Sequence, residues 1–105
     1  MTGPAAGAPG GTPGLEPERL TVWLRGRVQG VGMRWWVRAC GLELGLVGSA
    51  SNLADGRVEV VAQGPRSALE RFETVLRGGG SPGTITGITT RWSTAQTGID
   101  GFVER

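Results

Sequence analysis

The sequence predicts an α+β sandwich: an antiparallel sheet with two helices on one face, in the element order β-α-β-β-α-β. Three observations predict it. Stretches of strict apolar/polar alternation flank two stretches whose apolar residues recur at helical spacing. Glycine or proline punctuates nearly every junction between them. Each half of the chain reads as a strand, a crossover helix and a second strand, and an Asp-Gly turn joins the halves.

The elements follow in order. Residues 1–18 hold four of the six prolines and five glycines, a composition that buries too little apolar surface to offset its ordering entropy. They are expected to form a disordered tail, and residues 19–105 the folded domain. In RLTVWLRG, Leu20, Val22 and Leu24 alternate with Thr21, Trp23 and Arg25, the period of a half-buried strand. A glycine-rich turn follows. A helix is then expected from Met33 to about Leu44, with Met33, Trp36, Val37, Cys40 and Leu44 on one face and Gly45 as its stop. LVGSASN reads as the second strand, ending at Asn52. Asp55-Gly56 marks a hairpin turn, and RVEVVAQG is the clearest strand, with Val58, Val60 and Ala62 on one face. Pro65 suits the first helical position. The second helix, PRSALERFETVLR, carries Leu69, Phe72, Val75 and Leu76 as its stripe, with Arg66–Glu70 and Glu73–Arg77 as pairs one turn apart. GGGSPG breaks the chain, TITGITTRW is a fourth strand, the polar run STAQTGID is expected to be a mobile loop, and GFVER adds a short edge strand. This order is the ferredoxin-like arrangement.

Composition narrows the function. All eleven basic residues are arginine, and the formal net charge is only +2, so nothing in the charge balance demands nucleic acid. With no histidine, the usual general base and the commonest transition-metal ligand are missing. A single cysteine, Cys40, excludes an internal disulfide and a thiolate cluster, which fits a reducing cytoplasm. No stretch is apolar enough to span a membrane, and the N-terminus lacks the pattern of a secretory signal.

Chemistry concentrates in GRVQGVGMRWW, residues 26–36. Glycines between a strand and a helix let backbone N–H groups turn inward, and the helix start adds its own free N–H groups and the positive end of its dipole. The product is an anion nest. Arg34, in the first helical turn, can clamp the anion with its fork of donors. The stretch is neither a dinucleotide fingerprint, since Trp35 stands where glycine is required, nor a P-loop, since no Gly-Lys-Ser/Thr is present. A second position sharpens the reading. The first and second strands flank a crossover helix, so they run parallel and end at one edge of the sheet. Asn52 therefore ends beside the cradle. A plain tight turn with a surface arginine, and a turn role for Asn52, remain the alternatives at this level.

GRVQGVGMRWW, NLADGRVEVVAQGP and the closing GFVER resemble the acylphosphatase family, over residues 19–105. The family's loop reads G-R-V-Q-G-V-x-[Phe]-R, with an asparagine downstream near an Asp-Gly turn. The resemblance implies the ferredoxin-like fold and hydrolysis of acyl phosphates to carboxylate and inorganic phosphate. It implies Arg34 and Asn52 as catalytic residues. It also implies that the backbone of Gln29, Gly30, Val31, Gly32 and Met33 binds the phosphate. No metal or other cofactor is implied. The expected partners are a small acyl phosphate and its phosphate product, with no nucleic acid and no membrane, and the expected state is a cytoplasmic monomer. Two departures stand out: Met33 replaces the family's phenylalanine, and Gly48-Ser49-Ala50-Ser51-Asn52 replaces Gly-Trp-Val-x-Asn. The alternatives are a non-catalytic phosphate-binding module and a nucleic-acid-binding ferredoxin-like domain. The latter needs stacking aromatics on the central strands, for which Trp23 is the candidate. Trp36 and Cys40 are expected in the core, and Trp35 either walls the pocket mouth or packs half-exposed.

Overall fold

In the computed structural model, which describes residues 16–105, strand β1 (Pro17–Arg27) shows the predicted alternation directly: Leu20, Val22 and Leu24 are fully buried and their neighbours are not. The strand begins at Pro17, so Pro17 and Glu18, assigned to the tail from composition, pair with Pro65 and Gly64. The tail reading for residues 1–15 lies outside the described residues.

Helix α1 (Met33–Glu43), β2 (Val47–Asn52), β3 (Val58–Pro65), α2 (Arg66–Arg77), β4 (Thr84–Thr94) and β5 (Phe102–Glu104) follow. The sheet order is β4-β1-β3-β2-β5. Strand β3 runs antiparallel to both β1 and β2, which makes β1 and β2 parallel to each other, as a crossover helix requires. Four strands are antiparallel. The fifth departs from the expected pattern, because β5 pairs parallel to β2, with Gly48 opposite Phe102 and Ala50 opposite Glu104. The sheet is therefore mixed.

Both helices lie on the face carrying Leu20, Val22, Leu24, Val58, Val60 and Ala62. On α1 the fully buried line is Met33, Val37 and Gly41, while Trp36, Cys40 and Leu44 flank it half-buried. Gly41 was absent from the predicted stripe because a hydrophobicity count gives glycine no weight. Its role is spatial: a Cβ there would lie 2.4 Å from the Phe102 ring. On α2, Leu69, Phe72 and Leu76 are buried, but Val75 is 39% exposed, a correction to the predicted stripe. A three-residue line suffices because Phe72 is fully buried, a contribution of about 1.5–3 kcal/mol, and meets Phe102 edge-to-face at 6.3 Å. Pro65 caps α2 from just outside instead of opening it, a one-residue shift typical of helix boundaries. Both predicted surface pairs form, Arg66–Glu70 at 3.4 Å and Arg77–Glu73 at 2.9 Å.

The run expected to be a mobile loop is anchored. Ser93 and Thr94 extend β4, and the buried Gln63 accepts from the Gln96 N–H at 2.8 Å and donates to the Gln96 carbonyl at 2.9 Å.

Candidate active site

Two glycines shape the β1–α1 loop. Gly30 and Gly32 have φ of 73° and 85°, the left-handed region that side chains other than glycine's disfavour. Crowding is not the reason, since a Cβ at either would meet no atom within 4 Å. Gly32 is the N-cap of α1 and supplies no side-chain cap. Its carbonyl accepts the Trp36 N–H at 3.1 Å. The earlier N–H groups of the helix thus have no intrahelical acceptor, and the first turn is a place for an anion.

At this turn lies a hollow of about 80 Å³, lined by Val28, Gly30, Gly32, Met33, Arg34, Trp35, Asn52 and Glu104. Larger hollows exist, of about 410 Å³ beside the start of β4 and about 470 Å³ on the open sheet face. Neither borders a helix N-terminus, so the smaller one is where anion-binding groups converge. Five of the predicted residues line it: Gly30, Gly32, Met33, Arg34 and Asn52.

Gln29 and Val31 do not line it. Gln29 turns to the β2–β3 hairpin and donates to the carbonyls of Leu53 at 2.8 Å and Arg57 at 3.0 Å. Val31 packs half-buried against the core. The hairpin is itself fixed by Asp55, which accepts from the Arg57 N–H at 3.1 Å and from its guanidinium at 2.8 Å. The backbone N–H of Arg57 foremost, then its side chain, holds the Asp55 carboxyl below its usual range.

Arg34 donates through Nη1 to the main-chain oxygen of Arg105, and Arg38 donates to the Phe102 carbonyl at 2.8 Å. Two arginines of α1 therefore hold β5 beside the hollow and set the pose of Arg34. Asn52 is exposed at the end of β2. The change from the family's Trp-Val does not unpair its strand: β2 pairs with β3 from Val47–Gln63 to Asn52–Val58.

Sequence reasoning missed Val28 and Glu104 as lining residues. For Val28 the signal was its place at the loop's start; for Glu104 none existed, because its position follows from the parallel pairing of β5. Trp35 is 63% exposed and lines the hollow as well, so it both walls the mouth and faces solvent. Trp36 packs half-buried against the core. Cys40 is half-buried, and burial first, then the nearby Glu43 carboxylate, pushes its thiol pKa up, away from reactive thiolate character. Among the described residues, no three His, Cys, Asp or Glu side chains are grouped to hold a metal ion, and no helix is long and apolar enough to cross a membrane.

The acylphosphatase family model matches residues 20–103. The chain belongs to the acylphosphatase family. It is 55% identical over 91 residues to an acylphosphatase of Thermobifida fusca, covering 87% of this chain and 100% of the relative. The crystal structure of the Bacillus subtilis acylphosphatase superposes with a TM-score of 0.78 at 35% identity, covering 84% of this chain and 98% of that one. Full-length HypF, in a phosphate- and nucleotide-bound form, shares the fold at a TM-score of 0.79 and 20% identity, but this chain spans only 12% of it. Acylphosphatases are hydrolases, and the ferredoxin-like sandwich here is the fold of the family's solved members.

Proposed function

We propose that the protein hydrolyses acyl phosphates at this hollow. The phosphoryl group lies against the open first turn of α1, with Arg34 neutralising its charge. Asn52 orients the attacking water. One observation carries the reading: Arg34, the uncapped start of α1 and Asn52 come from three parts of the chain and meet around a single hollow of about 80 Å³.

The chemistry suits these groups. An acyl phosphate is a mixed anhydride whose leaving group, a carboxylate, needs no protonation. Water attacks phosphorus, the bond from phosphorus to the acyl oxygen breaks, and the carboxylate departs with that electron pair. One proton stays on the new P–OH and the other passes to a phosphate oxygen. No strong base is required. What remains is charge stabilisation and positioning. Arg34 uses one Nη1 hydrogen on Arg105 and has its other donors for the phosphoryl oxygens. No hydrogen bond to another described residue ties the Asn52 amide. A monomer is the working unit proposed for a chain of 105 residues. The lone half-buried thiol supports a reducing, cytoplasmic setting.

The test is release of carboxylate from benzoyl phosphate by the wild type, Arg34→Ala and Asn52→Ala, with and without a chelator. The expected result is turnover that ignores the chelator, with kcat/KM lower by at least about 10²–10³ in each variant. Arg34→Ala activity within about tenfold of wild type overturns its role. A folded wild type that binds phosphate without turnover favours the binding-module reading. The nucleic-acid reading has less support: on the open face of β3, Glu59, Val61 and Gln63 offer no aromatic, and the Trp23 ring N–H is engaged by Glu59 at 2.9 Å.

A further inference from the structure

We infer that the rim of the hollow selects acyl phosphates whose acyl group is flat, apolar and uncharged. The inference rests on the acylphosphatase reading above and concerns what the acyl group meets. The phosphoryl group is held by Arg34 and the open start of α1, so the acyl group extends past them to the edge of the hollow.

Two side chains stand there. Trp35 follows Arg34 directly in the first turn of α1. It is 63% exposed, where the other exposed large apolar residues range from 39% to 44%. Its neighbour Trp36 packs against the core, and Trp35 is not among the residues packed there. An indole left in water beside an anion site offers a face on which a flat acyl group recovers apolar contact.

Glu104 is the second. It lines the same hollow from β5, exposed. The ion pairs of the described residues are Arg57–Asp55, Arg66–Glu18, Arg66–Glu70 and Arg77–Glu73, and Glu104 is in none of them. At the floor, Arg34 and the helix start hold the phosphate. A second negative charge on the acyl group, such as a distal carboxylate, meets like-charge repulsion that salt screens.

The experiment compares kcat/KM for acetyl, benzoyl and succinyl phosphate in the full chain, Trp35→Ala, Trp35→Phe and Glu104→Gln. Both positions are exposed, and circular dichroism and Tm verify folding. In Trp35→Ala the benzoyl-to-acetyl ratio is expected to fall at least about fivefold, chiefly through KM, with Trp35→Phe recovering most of it. In Glu104→Gln the succinyl-to-acetyl ratio is expected to rise at least about threefold. The wild-type succinyl-to-acetyl ratio should also climb with added salt, while that of Glu104→Gln stays flat. Ratios unchanged within about twofold in both variants overturn the inference and leave the acylphosphatase reading standing. No turnover of any of the three by the folded wild type removes both together.

Discussion

At the scale of single residues, the Gln29 side chain ties the two halves of the site together. It does not enter the hollow. Instead its Nε2 joins the β1–α1 loop to the carbonyls of Leu53 and Arg57, which flank the turn directly after Asn52. The amide thereby sets the distance between the two halves of the site. Gln29→Ala removes one of two donors from each carbonyl, since Leu53 keeps the Gly56 N–H at 3.2 Å and Arg57 keeps the Leu53 N–H at 2.8 Å, a cost of about 0.5–1.5 kcal/mol per bond. If the residue positions Asn52, kcat falls while the inhibition constant for inorganic phosphate stays near wild type, because Arg34 and the start of α1 remain in place. Loss of stability with kcat unchanged would reduce Gln29 to a structural strut. The resemblance implies a phosphate-binding role for the backbone of Gln29, and says nothing of its side chain. Which way an amide side chain turns depends on the hairpin opposite, and no local pattern records that. Gly30, Gly32 and Arg34 were legible for the opposite reason, since backbone conformation and helix position follow from the local chain.

At the scale of elements, the attachment of β5 to α1 decides where the back of the site stands. Phe102 fits against Gly41, where a Cβ would approach its ring to 2.4 Å, and Arg38 and Arg34 bind the main chain of Phe102 and Arg105. Gly41→Ala forces that ring to shift or the strand to move away. The expected outcome is a loss of about 1–3 kcal/mol in chemical denaturation, accompanied by lower kcat/KM, because the main-chain acceptor that poses Arg34 moves with β5. A variant as stable as wild type would mean the ring has room to turn aside. The strands and helices of the βαββαβ frame were legible because each carries its own period. The exact face of α1 was not, since its buried line runs through a glycine. Nor was the direction of β5: three residues have no period to read, and their parallel pairing to β2 is set by contacts with α1. The fixed course of residues 95–97 was also hidden. It depends on one buried glutamine on a distant strand, whereas the polar composition of the run suggested mobility.

At the scale of the whole molecule, the site exists only when distant parts of the chain are assembled. The loop after β1 supplies the cradle, β2 supplies Asn52, and β5 supplies Glu104 and the acceptor that poses Arg34. Strand β1 holds none of its partners nearby in sequence: it pairs with residues of β3 and β4, Leu20 opposite both Ala62 and Trp92. Such non-local pairing places folding in the range of milliseconds to seconds, slower than a helical bundle of this size. It also ties the site to the core, since Leu20, Val22, Leu24 and Phe72 are fully buried in the cluster that Phe102 closes. Catalytic activity, tryptophan fluorescence and far-ultraviolet circular dichroism are therefore expected to be lost together in urea, with one midpoint, as for a two-state domain. Trp92 on β4 and Trp36 on α1 both pack against the core, so the fluorescence reports on a strand and a helix of the frame. Activity lost at a clearly lower urea concentration than the fluorescence would show that β5 and its hold on Arg34 open as a separate unit of low stability. The site would then be a detachable edge of the fold and not a consequence of its assembly.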